Sequence, residues 1–580
     1  MNTEGINTEA VESLAPVPTN MDEEKMKQHP AHVENIDALT SDDVVMRSPF
    51  DDFGPWKTAK IFKKATAVAL FAAFSACADG FQISITNTII ANTGFIKQFG
   101  TTTTAAGAPA LAANVLSIWG GIGSMGQGLG MITMHFIADR FGRKVAFYCI
   151  WLVLLCCICC ESFGRVWQVW LVAKLTSGYA VGSVQFLTGS YVTEIAPARV
   201  RGFLLLFYSV WYGLGQLFST IALKVMSVRN PNDYLTVIYC EWAVLGVMGL
   251  VYAFIPESPY WCANHGKHEQ GRKIVHFLNG GVKDYDVDFH YGLIRRHVEI
   301  EKRVAKELMG EKKPFWKDLW DTREIFMGVN GFRTLIAFMP AAVQQLSGLA
   351  VLSGYSSYFA QTAGFADPFL FSLLLAVMGL AVTIIGAFAL DYVGRRSCFL
   401  FAVAATWCCL ITIGGLGLAP KPTSTAVNKF TLFVALMWRA VSTLLGDLGW
   451  SYVAETGSSR LRAKTAGFAA AGGVCIGLVF STSVPYMLSA QYANWGLKTC
   501  FFFAGVSAPL MISTWFIMPD TSRRTPAELD EMFEKRVRPW KFRGYVTEAQ
   551  KALQAERDLL GTEDVAAIQT VAAQHQGTQR

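Results

Sequence analysis

The sequence predicts an all-α membrane protein with twelve transmembrane helices, arranged as two six-helix repeats that are joined by a cytosolic helical linker. Three observations predict this fold: long apolar blocks, positive charges that concentrate in alternate loops, and three motifs that occur twice in the same order. Hydrophobic residues make up 52% of the 580 residues and charged residues only 16%. Soluble domains carry about 25% charged residues, so this composition favours a membrane protein.

The apolar blocks divide the chain into two sets of six. A helix that crosses the hydrocarbon core of a bilayer needs about 20 apolar residues. The stretch between the two sets is too charged to cross, and its periodicity predicts short amphipathic helices on the cytosolic face. We therefore expect a disordered cytosolic tail (1–60), a six-helix bundle (61–255), a linker (256–325), a second bundle (326–518) and a cytosolic tail (519–580). The twelve blocks begin near Ala65, Ala112, Val145, Val166, Phe203, Val237, Thr334, Pro368, Cys398, Phe430, Thr465 and Cys500.

The positive residues predict the orientation. Arg140, Arg143 and Lys144 lie between the second and third blocks, and similar clusters recur in every other loop of both halves. The remaining loops carry single scattered charges. Because Lys and Arg concentrate in cytosolic loops of membrane proteins, both termini and the linker are expected in the cytosol.

Three motifs of the first half recur in the second at separations of 252, 261 and 263 residues. Two six-helix halves in parallel repeat are typical of a rocking carrier with its binding site at the bilayer midplane. We predict that the charged residues of the motifs latch the halves together while the carrier faces outward; the alternative is that they only fix topology. The latch residues are Asp139, Arg140, Arg143, Glu194, Arg201, Asp391, Arg395, Arg396, Glu455 and Arg462.

Composition and motifs also exclude several classes of function. The net charge of +6 is small for this length, and no interleaved basic and aromatic runs indicate nucleic-acid binding. Cys156, Cys157, Cys159 and Cys160 crowd one apolar block, where we interpret them as small buried hydrophobic residues. No metal site, no cofactor and no catalytic set is predicted, so the chain is not expected to be an enzyme.

Further segments carry a family resemblance that extends from about Ala65 to Phe542: they are Pro256–Trp261, Gly178–Glu194, Gln344–Phe359, Pro485–Leu488 and Arg524–Phe533. With these motifs the chain resembles the sugar porters of the major facilitator superfamily, and within them the fungal α-glucoside (maltose-type) permeases. The resemblance implies alternating-access transport of a hexose or an α-glucoside across the plasma membrane. Carriage of a polyol or a quinate-like acid, or a nutrient sensor that transports nothing, remain as alternatives.

The resemblance also implies a substrate site. Sugars present hydroxyl groups and apolar faces, so a sugar site needs amide side chains and aromatic rings. By resemblance, Gln216, Gln344 and Gln345 bind the sugar, Trp450 contributes an aromatic ring, and Tyr355 and Ser356 gate the outer side. Gln185 is a further candidate. The alternative for the glutamines is hydrogen bonding between helices.

The chain departs from the family pattern within this site. An asparagine that is expected after the glutamines is replaced by Ala350, and the usual Gly-Pro before Trp450 reads Gly446-Asp447. Polar residues are also missing from 469–473. The pocket therefore has fewer amides than the family pattern, and the other polyhydroxy solutes remain alternative cargoes.

The sequence favours proton symport and facilitated diffusion about equally. The resemblance implies an acidic residue in the first span where this chain has Gln82, and an amide cannot take up a proton, which favours facilitated diffusion. Asp79 lies one turn earlier, and Lys174 of the fourth span could pair with it, which favours proton symport. Asp447 is a second candidate for the proton-coupling residue. The alternative role for Asp79 and Lys174 is a static salt bridge that only holds helices together.

Overall fold

The computed structural model describes residues 55–551, except 104–106, 284, 310–321, 366, 420–424, 458–460, 490, 523, 525 and 549. Most of the two predicted tails therefore lies outside the described residues. The side chains of Asp391, Trp450 and Arg462 also lie outside them, although their backbones are helical.

The described chain is almost entirely helical. The first half contains α1 (Pro55–Ile61), α2 (Lys63–Ala73), α3 (Ser75–Thr88), α4 (Thr93–Phe99), α5 (Ala113–Phe141), α6 (Arg143–Phe163), α7 (Trp167–Ile195), α8 (Ala198–Arg229) and α9 (Leu235–Phe254). The linker contains α10 (Pro259–Asn264), α11 (His268–Asn279) and α12 (Val287–Met309). The second half contains α13 (Gly328–Leu346), α14 (Ser356–Ala363), α15 (Pro368–Val393), α16 (Arg395–Leu416), α17 (Thr425–Thr456), α18 (Arg462–Leu488) and α19 (Thr499–Ile517), and α20 (Pro526–Glu534) follows. Two short strands, β1 (Thr102–Thr103) and β2 (Pro109–Ala110), pair antiparallel with Thr102 opposite Ala110.

All twelve predicted spans are helical, and each begins within six residues of its predicted start. Among the described helices, nine are long and apolar enough to cross a membrane by themselves. The other three predicted spans are less apolar or are interrupted. Helices α5 and α7 are rich in glycine and polar residues, and the seventh span is broken into α13 and α14.

The break in the seventh span has a local cause. Helix α13 ends at Leu346, and Gly348 adopts a φ of 86°, which favours glycine because it has no Cβ. A π-helical turn, Ala350–Gly354, follows before α14 begins at Ser356. Irregular backbone at membrane depth is tolerated where it lines a cavity, so the break marks this span as a candidate for binding.

The linker helices have the amphipathic pattern that the sequence predicts. Helix α11 buries Gly271, Ile274, Val275 and Leu278, which share one face at the 3.6-residue period. Val275 belongs to a small apolar cluster with residues of α10 and α12. Burial of these faces against each other explains why the linker is helical although it is rich in charge.

The two repeated turns build equivalent structures in the two halves. Gly142 between α5 and α6 has a φ of 107°, and Gly394 between α15 and α16 has a φ of 96°. Tyr191 donates a hydrogen bond to the carbonyl of Pro256 at 2.6 Å, and Tyr452 donates one to the carbonyl of Pro519 at 2.9 Å. We call the end of the bundle that carries these turns, 139–144 and 391–396, the motif face, and the other end the opposite face.

Candidate functional site

A cavity of about 360 Å³ lies between the two halves. The first half lines it with α3, α5, α7 and α8, and the second half with α13, the π-helical turn, α17 and α18. Ligand pockets for small molecules have volumes of about 300–1,000 Å³, so this cavity has the size for a small solute. Among the described lining residues there are several amides and hydroxyls and one lysine, but no carboxylate.

Three of the predicted glutamines line this cavity. Gln344 donates to the backbone carbonyl of Ser442 at 3.3 Å, which fixes its amide against α17. Gln345 lies beside Gly477 of α18 and makes no side-chain hydrogen bond to a described residue. From the other half, Gln185 accepts a hydrogen bond from Gln127 at 3.0 Å. The cavity therefore presents amides from both halves, and the side-chain amide of Gln345 is not held by another described residue.

Gln216 and Ser356 lie elsewhere. They line a separate cavity of about 30 Å³, too small for a sugar. The side-chain oxygen of Gln216 accepts a hydrogen bond from Arg439 of α17 at 3.1 Å, and Arg439 also donates to the hydroxyl of Ser353 at 3.0 Å. In this structure Gln216 therefore joins the two halves and does not face the central cavity.

The aromatic residues of the cavity differ in part from those predicted. The side chain of Trp450 lies outside the described residues. Tyr355 lines the cavity, and its hydroxyl donates to the carbonyls of Ser481 at 2.8 Å and of Leu116 at 3.3 Å. Leu116 lies near the start of α5 in the first half, so the Tyr355 hydroxyl joins the two halves at the end of the cavity nearer the opposite face. Trp119 also lines the cavity.

Further polar contacts join the halves toward the opposite face. Ser117 donates to the carbonyl of Thr482 at 2.7 Å, and the hydroxyls of Ser124 and Ser481 lie 3.0 Å apart. Lys224 at the end of α8 pairs with Asp367, which precedes α15. These contacts bring α5 against α18 and α8 against α15.

The predicted proton-coupling residues are separated. Asp79 is 1% exposed and accepts hydrogen bonds from Tyr208 at 2.8 Å and Gln185 at 3.3 Å. Lys174 instead lines the central cavity and donates to the carbonyl of Thr86 at 2.8 Å. The predicted ion pair of Asp79 and Lys174 is therefore not formed in this structure. Asp447 lines neither cavity.

The charged motif residues pair within each half. Arg143 bonds Asp139 and Glu194, in each case at 2.9 Å, and so joins α5, α6 and α7. Glu257 accepts hydrogen bonds from the backbone N–H groups of Arg143 at 2.8 Å and Lys144 at 3.1 Å, where a carboxylate stabilises the start of α6.

The second half repeats this arrangement. Arg395 pairs with Glu455 of α17. Arg396 donates to the carbonyl of Met518 at 2.6 Å, beyond the end of α19, as Lys144 does to the carbonyl of Ala253 at 3.1 Å near the end of α9. The equivalent contacts support the internal repeat.

The predicted latch between the halves is not formed in this structure, in which these pairs lie within one half. Arg143 reaches Glu194 across the ends of helices that belong to the same bundle, so the pair braces that bundle. Arg140 lies over the ring of Phe141 at 5.8 Å, and the Nε atom of Arg201 is buried without a hydrogen-bond partner among the described residues. The side chains of Asp391 and Arg462 lie outside the described residues.

Comparison with known proteins decides the family. The family model described as "Sugar (and other) transporter" matches residues 68–533. The chain belongs to this family. This match confirms the predicted major facilitator fold, with twelve helices in two halves, and the resemblance to sugar porters. It also confirms that the chain is a membrane carrier that works by alternating access and is not an enzyme.

Individual relatives are more distant. The hexose transporter HXT10 of Saccharomyces cerevisiae is 24% identical over 86% of this chain and 91% of its own length. The maltose permease MAL31 of the same yeast is 26% identical over 87% and 81%, and the transporter fmqE of Aspergillus fumigatus is 24% identical over 88% and 96%. Among solved structures, the inward-open xylose transporter XylE of Escherichia coli superposes with a TM-score of 0.63 at 16% identity and covers 80% of this chain and 99% of its own. This last match shows the shared fold.

Sequence reasoning missed one residue of the central cavity and one residue that joins the two halves. Asn87 of α3 lines the cavity and donates to the carbonyl of Ser353 in the other half at 3.4 Å. Arg439 was also missed, although a charged residue inside a predicted span is a signal of function. Asn87 carried no such signal, because a single polar residue near the end of an apolar block is unremarkable.

Proposed function

We propose that this sugar transporter carries a hexose or an α-glucoside, bound in the central cavity between the halves. The observation that carries the proposal is Gln345, an amide that faces the cavity without a hydrogen-bond partner among the described residues. Gln344 and Gln185 extend the polar surface on the two sides of the cavity, and Trp119 and Tyr355 supply rings. A neutral, hydroxyl-rich solute matches amides that both donate and accept. Hexose and maltose carriers among the relatives agree with this cargo.

The orientation and the membrane belong to the same proposal. Lys and Arg cluster at the motif face, so that face is the cytosolic one, with both termini on the same side. The contacts of Tyr355 and of Ser124 then close the cavity toward the outside. We place the carrier in the plasma membrane, where a nutrient carrier meets its sugar.

One observation favours a second cargo. Lys174 faces the cavity and is the one positively charged residue among its described lining residues. An acidic polyhydroxy solute of the quinate type would place its carboxylate beside Lys174 and its hydroxyls beside the glutamines. The same uptake experiment distinguishes the two cargoes.

Replacement of Gln345 by alanine is expected to lower sugar uptake about two- to tenfold, because a lost hydrogen bond to a neutral group costs about 0.5–1.5 kcal/mol. Transporter-deficient cells that express the protein would be given labelled glucose, maltose or quinate. Gln361→Ala, which removes an exposed amide from α14, is the matched control and is expected to transport normally. Unchanged uptake by Gln345→Ala would refute the binding role. Uptake of quinate alone would establish the second cargo, and no uptake by the unmodified protein would favour a sensor.

A further inference from the structure

Two glutamates are buried on neighbouring helices of the first half, outside the lining of the central cavity. Glu161 lies near the end of α6 and is 1% exposed, and Glu241 lies in α9 and is 2% exposed. Both positions are nearer the opposite face than the motif face. Burial of a carboxyl group within a membrane domain is costly, so such a group indicates a function.

Three of the four oxygens of these two carboxyl groups are buried without a hydrogen-bond donor among the described residues. One oxygen of Glu161 accepts from Gln82 at 2.8 Å. The other oxygen of Glu161 and both oxygens of Glu241 receive no hydrogen bond from a described donor. The residues next to them in sequence are in contact, because Trp242 donates to the hydroxyl of Ser162 at 3.1 Å, which places the two carboxyl groups at the same level of α6 and α9. Two ionised carboxylates can only accept hydrogen bonds and they repel each other, so a buried pair without donors is stabilised when it binds a proton.

Few other ionisable groups act on this carboxyl pair. From α7 it faces Lys174, from α6 Cys157 and Cys160, and from α9 Cys240. Helix α3 contributes the neutral amide of Gln82. The charge balance of this cluster depends on the two carboxyl groups and on Lys174.

Lys174 connects the carboxyl pair to the cavity and to the other half. Its ammonium group donates to the carbonyl of Thr86 at 2.8 Å and to the side-chain oxygen of Asn87 at 3.3 Å. Asn87 in turn donates to the carbonyl of Ser353, in the π-helical turn of the second half. A change of charge beside Lys174 is thereby transmitted to a contact between the halves.

We propose that Glu161 and Glu241 together form the proton-binding site of this carrier, so that sugar transport is coupled to protons through this pair. With one proton bound, the pair carries one negative charge and Lys174 remains on Thr86 and Asn87. Loss of that proton adds a second negative charge, which draws Lys174 toward the carboxylates and weakens the contact between Asn87 and Ser353. The inference rests on the proposed function, because the coupled solute is the sugar of the central cavity.

Infrared difference spectroscopy tests the proton site without any solute. The purified protein would be compared in acidic and alkaline buffers, in water and in heavy water. We expect a carboxylic acid C=O band that disappears at alkaline pH and shifts in heavy water. Glu161→Gln with Glu241→Gln should remove this band, whereas the exposed carboxylate variant Glu269→Gln should keep it. A band that persists in the double variant, or that is lost in Asp79→Asn instead, overturns the assignment.

Transport into vesicles tests the coupling. With an imposed proton gradient, the unmodified protein should accumulate labelled glucose or maltose, and Glu161→Gln or Glu241→Gln should lose accumulation on the order of tenfold, the range of an ordinary coupling free energy. Exchange of labelled for unlabelled sugar without a gradient should persist in both variants, which shows that they are folded. Accumulation by both variants at the level of the unmodified protein would overturn the inference.

Two further outcomes separate this inference from the proposed function. Exchange by the unmodified protein without accumulation under the imposed gradient would refute proton coupling and leave the sugar carrier intact. Exchange of neither sugar would refute the proposed function, and the infrared band alone would then decide whether the carboxyl pair holds a proton.

Discussion

Replacement of Gly178 by valine is expected to prevent the protein from folding. A Cβ atom on Gly178 of α7 would lie 2.0 Å from the carbonyl oxygen of Gly123 on α5, and one on Gly182 would lie 2.1 Å from that of Gln127. Small residues let these two helices approach backbone to backbone. Overpacking a core costs about 1–3 kcal/mol, and more where the obstacle is backbone that cannot rotate away. Size-exclusion chromatography of a fluorescent fusion should show little monodisperse protein.

Gly189→Val is the matched control for this variant. Gly189 lies on the same helix, but a Cβ atom added there would meet nothing within 4 Å. Both variants make the same change of residue and of helix propensity, so only the helix contact differs. Equal yield and equal thermal stability of the two variants would contradict close packing of α5 on α7.

Removal of the Arg143 side chain is expected to have the second large effect. Arg143 and Glu194 are 14% and 16% exposed, and Arg143→Ala would leave a mostly buried carboxylate without its cation. Breaking such a pair on one side costs up to about 3–5 kcal/mol. The thermal midpoint and the transport rate should both fall, and Glu194→Ala should cause a similar loss.

A double-mutant cycle separates a brace from independent charges. If Arg143 and Glu194 brace one bundle, the double variant should be less destabilised than the sum of the single variants, by about 0.5–3 kcal/mol. Arg140→Ala removes the same charge from an exposed neighbour and should have little effect. Fully additive losses would show that the pair has no role of its own.

The fold was predictable because its evidence is periodic and repeated. Apolar blocks of bilayer length define the spans, and the repeated Gly142 and Gly394 turns define the two halves. Of the predicted substrate-binding residues, Gln185, Gln344, Gln345 and Tyr355 line the central cavity, and so does Lys174, which was predicted instead as a partner of Asp79. These residues face the cavity because they lie on the spans that the repeat brings to the interface.

The remaining parts of the site depend on helix rotation, which a single sequence does not specify. Asp79 precedes Gln82 by three residues, which places it about 60° short of a full turn and about 4.5 Å away along the axis. That offset is enough to direct Asp79 toward Tyr208 of α8 and Gln82 toward Glu161 of α6. The pairing of Glu161 with Glu241 depends on the packing of α6 against α9, which no local pattern predicts.

Cross-linking the two halves tests alternating access about the central cavity most directly. Ser124 of α5 and Ser481 of α18 have hydroxyl oxygens 3.0 Å apart, so cysteines at both positions should form a disulfide upon mild oxidation. Labelled sugar uptake would be measured before oxidation, after oxidation and after reduction, with each single cysteine variant as a control for the native thiols. The structure predicts that oxidation stops uptake in the double variant alone and that reduction restores it. Full uptake with the cross-link in place would contradict a carrier that opens between these two halves.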